Sequence, residues 1–451
     1  MSLEPTSARA QPVDAVPMRE AFAFWLRLGF ISFGGPAGQI AIMQRELVEQ
    51  RRWISEQRFV HALHYCMMLP GPEAQQLATY LGWLMHRTLG GVVAGLLFIL
   101  PSMLLLIALS YLYLAHGQQP LVAALLYGVK PAVAAIVLHA VYRLGQRCLA
   151  DPRRRPLPAL LAFLGFFVLT FTGLSFVWLI LGAVLLGLVL ARTAPQALAG
   201  PSAPPDRSQA APQRALIDVD TPPPPHTRPH RGRLALVVGV GLMLWALPMA
   251  ALLVLSGPGG TLTQMAAFFT RAALLTFGGA YAVLPYVQQA AVEHYQWLST
   301  AQMMDGLALG ESTPGPLIMV VAFVAYVGGW TQQVLGPQAQ AAGAALAALV
   351  ACWFTFLPSF IFILAGGPWV EAARSRVGWT LPLQAVYCVV VGVIAHLGWT
   401  FLGAVAYADS RMDAVALLMV ALGVFLLVRW RWSVLRLLAA SAASALVLVP
   451  W

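Results

Sequence analysis

Long apolar runs alternate with short polar breaks along the chain, and the lengths of the runs predict the elements. Apolar stretches cover 89–115, 121–145, 234–256, 341–366, 380–404, 411–428 and 437–451. A helix needs about 20 apolar residues to cross a hydrocarbon core, so most of these read as spanning helices and the last two as short ones. Residues 157–191 are too long a run for one span, and Thr172, Gly173, Leu174 and Ser175 at its middle predict two short helices. Two more apolar segments are interrupted: 18–44 by Phe33-Gly34-Gly35-Pro36, and 57–86 by Leu69-Pro70-Gly71-Pro72-Glu73. Adjacent Gly and Pro break a helix. Such a break survives at membrane depth only where protein buries it or where it lines a cavity.

Composition turns this pattern into a class. The chain has 451 residues, 59% hydrophobic and 10% charged, with mean hydropathy +0.75. Soluble domains run at about 45–50% apolar and 25% charged. An ordinary soluble enzyme, a disordered chain and a nucleic-acid binder are excluded; the excess apolar surface needs lipid. The net charge of +10 comes from basic residues scattered in short clusters, with Lys130 the single lysine. Cys66, Cys148, Cys352 and Cys388 stand far apart without a CxxC and read as small core residues. Residues 1–17 lack a signal-peptide pattern and read as a cytoplasmic N-terminus. Residues 192–232, rich in Pro, Ala, Ser and Arg, read as a solvated cytoplasmic linker without a core of its own.

The interrupted segments recur. Arg27, Phe33-Gly34-Gly35, Glu49, Trp53 and Pro70-Gly71-Pro72 reappear as Arg271, Phe277-Gly278-Gly279, Glu293, Trp297 and Pro314-Gly315-Pro316, every pair 244 residues apart. Pro101-Ser102 and His139 recur as Pro358-Ser359 and His396 at an offset of 257. The chain is a duplication, with a first repeat over 18–191 and a second over 258–451.

Arginine gives the orientation of the copies. Arg45, Arg51, Arg52 and Arg58 crowd the loop between the first two broken segments, whereas 272–373 holds no Lys or Arg. The turn 172–175 is neutral and its counterpart 429–436 carries Arg429, Arg431 and Arg436. Cytoplasmic loops concentrate Lys and Arg, so each loop that is internal in one copy is external in the other. The span within 233–257 has no counterpart and supplies the inverting crossing. The expected fold is therefore all-α and polytopic, with two inverted-topology repeats containing broken or re-entrant helices.

These residues, in this order, spacing and duplication, resemble the chromate transporter family in its long two-domain form. The resemblance covers both repeats and leaves out the N-terminus and the linker. It implies a secondary transporter that exports chromate across the bacterial inner membrane and confers chromate resistance, with sulfate as a competing analogue. Membrane lipids and a second copy of the chain are candidate partners, and no cofactor or metal is implied. A transporter for sulfate or another oxyanion, or an anion channel, is the alternative. A membrane-embedded enzyme is disfavoured by the lack of HExxH, CxxC and GxSxG motifs.

A tetrahedral oxyanion needs N–H donors and positive potential in a dry site, which helix N-termini and glycine-bared backbone supply. Phe33, Gly34, Gly35, Pro70, Gly71, Pro72, Phe277, Gly278, Gly279, Pro314, Gly315 and Pro316 are accordingly the expected pathway, against a role as packing or hinge residues. Arg27 and Arg271 are candidates for the anion's counter-charge, against interfacial snorkelling. Lys130 is another, against pairing with a carboxylate. Glu73 and Glu311 flank the Pro-Gly-Pro turns and are candidates for proton coupling, against helix capping or pairing with Arg27 or Arg271. Asp305, the His61 and His64 pair, and the repeat mates His139 and His396 read as structural.

Overall fold

The computed structural model describes residues 16–33, 35–148, 156–193, 215–218, 224–277, 279–372, 380–407 and 412–448. Helix α1 (Met18–Ile31) and α2 (Gly35–Gln44) flank the first glycine break, and α3 (Glu56–Met68) and α4 (Glu73–His116) flank the first Pro-Gly-Pro turn. Then follow α5 (Pro120–Cys148), α6 (Pro156–Phe171) and α7 (Phe176–Thr193), split where Gly173 interrupts the apolar run. After the linker come α8 (Arg231–Ser256), α9 (Thr261–Leu275), α10 (Ala280–Gln288), α11 (Thr300–Ser312), α12 (Val320–Thr331) and α13 (Gln340–Ala372). The last helices are α14 (Thr380–Ala406), α15 (Ala414–Arg429) and α16 (Val434–Leu448). Among the described residues six helices are long and apolar enough to cross a membrane, and their exposed faces carry residues such as Leu185, Val254 and Leu255. The chain is a multi-pass, all-helical membrane protein.

The duplication is visible element by element. Helices α3 and α11 begin and end 244 residues apart, and each is preceded by a π-helical turn, Arg45–Gln50 and Gln289–His294, in the same register. The register changes at one place. In α4 the helix kinks at His86 and Arg87, where φ turns positive at Arg87. At the equivalent Thr331 the second copy breaks outright and inserts a loop before α13. That insertion moves the offset from 244 to 257. In the first copy the expected span 89–115 lies beyond the kink, in an element that starts at Glu73.

The copies exchange partners. α5 of the first repeat packs against α15 and α16 of the second, and α14 of the second packs against α6 and α7 of the first. α8 lies at the periphery against α9 and α13.

Three expectations need correction. Arg58 is no loop charge: it is 4% exposed and pairs at 2.5 Å with Glu371, which also accepts from the Tyr80 hydroxyl. Cys66 and Cys352 are buried core residues, but Cys148 and Cys388 form a disulfide between α5 and α14 that sequence separation hid. Within the linker, residues 215–218 and 226–227 are docked rather than solvated. Leu216 and Ile217 donate backbone hydrogen bonds to the Arg52 and Trp53 carbonyls, and His226 bonds the Trp83 carbonyl at 3.0 Å.

Candidate functional site

The glycine breaks and the Pro-Gly-Pro turns meet at the centre of the molecule, each with the turn of the other copy. The Gly71 N–H donates to the Thr276 carbonyl at 2.8 Å, and the Gly315 N–H donates to the Ser32 carbonyl at 2.8 Å. Both pairs join equivalent positions, so the contact between the two copies is reciprocal. Breaking α1 and α9 frees backbone carbonyls, and these crossed bonds satisfy them. The Ser32 and Thr276 hydroxyls each bond back one helical turn, to the Leu28 and Ala272 carbonyls at 2.6 Å.

Only glycine fits the turns. Gly71 has φ +125° and Gly315 φ +104°. A Cβ on Gly71 would lie 2.4 Å from the Ser359 Oγ, and one on Gly315 would lie 2.5 Å from the Ser102 Cβ. Ser102 and Ser359 are repeat mates, each seated under the turn of the opposite copy. Pro70, Pro72, Pro314 and Pro316 flank these glycines, Phe33 and Phe277 are half-buried beside the breaks, and Gly35 and Gly279 both take positive φ, +70° and +96°. Gly34 and Gly278 lie outside the described residues.

Around this symmetric frame the side chains differ. On the first-repeat side buried Gln39 bonds the Gly315 carbonyl, and Gln76 bonds the Pro70 carbonyl at 2.7 Å and the Ser359 hydroxyl at 3.3 Å. The Oε1 atoms of Gln39, Gln75 and Gln76, with the hydroxyls of Ser102 and Thr355, are buried with no hydrogen-bond partner among the described residues. At the second glycine break two carboxylates converge instead. Glu73 reaches across the repeats to within 3.9 Å of where a Gly279 Cβ would sit. Buried Glu311 accepts from the hydroxyl of Tyr281, two residues past the same break. The repeat mates of Glu73, Glu311 and Tyr281 are Leu317, Met67 and Ala37, so the acid lies on one side only.

The expected cations are placed elsewhere. Arg27 and Arg271 are exposed on the outer faces of α1 and α9, and the Arg271 guanidinium bonds its own helix at the Ala267 carbonyl. Neither meets the turns; burial of the inner faces of α1 and α9 turns both outward. Lys130 is half-buried on α5, and its charge bears on Asp305 of α11, which accepts from the Tyr113 hydroxyl at 2.9 Å.

The family model described as "Chromate transporter" matches residues 19–188 and again 263–447. The chain belongs to the chromate transporter family. The transporter is 33% identical to a chromate transport protein of Pseudomonas aeruginosa, over 87% of this chain and 84% of that one. It is 27% identical to a chromate transport protein of Cupriavidus metallidurans, over 99% and 98% of the two chains. A probable chromate transport protein of Synechococcus elongatus is 28% identical, over 69% and 70%. No solved structure matches.

The two family matches fall within the two repeats and exclude the whole linker. Sequence reasoning found the turns of this transporter but missed the buried amides and hydroxyls around them. Their signal was present: Gln75-Gln76 stands two residues after Glu73 at the start of a long, mostly apolar helix, where a polar residue is costly unless used.

Proposed function

We propose that this transporter exports chromate from the cytoplasm across the bacterial inner membrane, with sulfate as a competing analogue, through the crossed turns. The observation that carries the reading is the reciprocal exchange between Gly71 and Thr276 and between Gly315 and Ser32. It puts two helix breaks and the Ser102 hydroxyl, buried and unpartnered among the described residues, in one place, and a hydroxyl free to donate is what a tetrahedral oxyanion needs there. The curated relatives named for chromate transport support the choice of ion.

The membrane potential gives the direction. An inside-negative potential is worth about 2.3 kcal/mol per charge per 100 mV, so a departing dianion gains about 4–5 kcal/mol. Export needs no further driving ion; uptake would. Glu73 and Glu311 beside the second break repel a dianion while ionised, and protonation of either lowers that barrier, which ties passage to proton supply on one side. The arginine asymmetry supports inverted repeats with the linker in the cytoplasm.

Inverted membrane vesicles containing the protein test the reading. Potential-driven accumulation of labelled chromate, suppressed by excess sulfate and abolished by Gly71→Ala, is expected. Accumulation unaffected by Gly71→Ala would remove the turns from the path. Accumulation of no oxyanion would overturn export.

A further inference from the structure

A cavity of about 430 Å³ lies between α5 and the α15–α16 hairpin. His139, Tyr142, Arg143 and Gln146, one face of α5, line one wall. Arg431 and Trp432 of the hairpin turn line the other. Among the described residues no carboxylate lines it, and neither Arg143 nor Arg431 makes an ion pair.

The duplication supplies an internal control. The equivalent place in the other copy lies between α14 and the α6–α7 hairpin, beside His396, the mate of His139, and encloses only about 10 Å³. There Thr400 stands where Arg143 stands, and Glu293 is the charged wall residue. The hairpin turns correspond residue for residue, 172–175 with 430–433, and both hold a left-handed residue in second place. It is Gly173 at φ +63° in one copy and Arg431 at φ +52° in the other. The fold is satisfied by glycine there and by threonine on the facing helix. An arginine held in a conformation that glycine takes more easily, aimed with a second arginine into an open cavity, is backbone strain kept for a purpose other than folding.

We infer that this cavity is a docking site for a tetrahedral oxyanion, held by Arg143 and Arg431 and collected there before it reaches the crossed turns. The inference rests on the reading of the protein as an oxyanion carrier. Planar guanidinium groups match the edges of a tetrahedral oxyanion, and two uncompensated cations in a concave site raise the local anion concentration and the on-rate. Both arginines stand where the chain's basic loops cluster, the side that faces the cytoplasm in the proposed orientation. The same chemistry fits a free dianion or the phosphate of a lipid headgroup.

Trp432 provides the readout. Full-length protein and Arg431→Gly are purified in neutral detergent and titrated with sulfate, and separately with phosphatidic acid in mixed micelles. The Trp432→Phe protein serves as the fluorescence blank. Glycine already occupies this position in the sister turn, so Arg431→Gly removes the charge without burdening the fold. We expect a saturable Trp432 response that Arg431→Gly shifts at least tenfold to higher concentration. A response to sulfate identifies a free oxyanion; a response to phosphatidic acid alone identifies a headgroup. In vesicles containing only phosphatidylcholine, Arg431→Gly and Arg143→Gln should raise the KM for chromate at least fivefold with Vmax within twofold, if the free ion is the occupant. Silence of Trp432 toward both ligands overturns the inference. Gly71→Ala separates the two readings: it should stop flux and leave the Trp432 response intact, whereas normal flux in Gly71→Ala defeats the crossed-turn path alone.

Discussion

Gly71 and Gly315 each combine positive φ with a neighbour at 2.4–2.5 Å from any added Cβ. A left-handed conformation forced on alanine costs about 1–3 kcal/mol before the clash is counted. Gly71→Ala and Gly315→Ala should therefore each lower chromate flux more than tenfold with the protein still in the membrane, as flux per immunoblotted transporter would measure. Their neighbours differ in kind. Glu311→Gln keeps an acceptor for the Tyr281 hydroxyl and removes the ionisable group, so flux should persist and lose its dependence on pH; a pH profile identical to wild type would exclude Glu311 from coupling. The Arg58–Glu371 pair is structural. Truncating one partner leaves a buried charge uncompensated and costs about 3–5 kcal/mol. Arg58→Ala should depress the unfolding temperature in detergent, and Arg58→Met with Glu371→Met should recover much of the loss.

At this scale agreement between the two copies marked constrained positions without telling their roles. The turn glycines announced themselves by recurring 244 residues apart. The exposure of Arg27 and Arg271 could not be read, because recurrence marks a constraint without saying whether it faces the pathway or the lipid. Gln39, whose mate is Val283, had no repeat signal, and its role follows only from the partner that folding brings to it.

Among the elements, the broken helices and the split at Gly173 follow from Gly and Pro placement alone. The docked linker does not, because its hydrogen bonds run to backbone groups with no side-chain signature. Its anchor, His226, lies outside the spans, and burial among Trp83 and neighbouring arginine charges lowers its pKa below the ordinary value of 6.5. The docked state thus holds the neutral ring. Docking is complete above the ordinary histidine value and is lost progressively as pH falls below it, because the released segment takes up the proton more readily. Limited proteolysis of the linker at pH 7.5 and pH 5.5 should show faster cleavage at the acid value; equal rates would show that His226 bears no part of the docking. His226→Gln should remove the difference.

The whole molecule is built by exchange: α5 needs α15 and α16, α14 needs α6 and α7, and each turn needs the break of the other copy. Neither repeat can bury its own inner surface. A chain ending after α7 should be degraded when expressed alone, and co-expression with the segment from α8 onward should restore both fragments and chromate flux. Full activity of either fragment alone would contradict the exchanged architecture. The duplication was legible in sequence and the exchange was not, since periodicity records likeness between segments and says nothing of which segments touch.

The crossing of Gly71 with Thr276 also sets a clock on biogenesis. Ribosomes add about 5–20 residues per second, so the first turn waits in the bilayer for about 10–40 seconds before its acceptor is even synthesised. Throughout that interval the Gly71 amide must find a temporary acceptor, from water, lipid or an insertion chaperone. The nascent first repeat is therefore a client that the membrane-insertion machinery must shelter, and slowed translation anywhere between Gly71 and Thr276 should endanger the transporter more than slowing after Thr276.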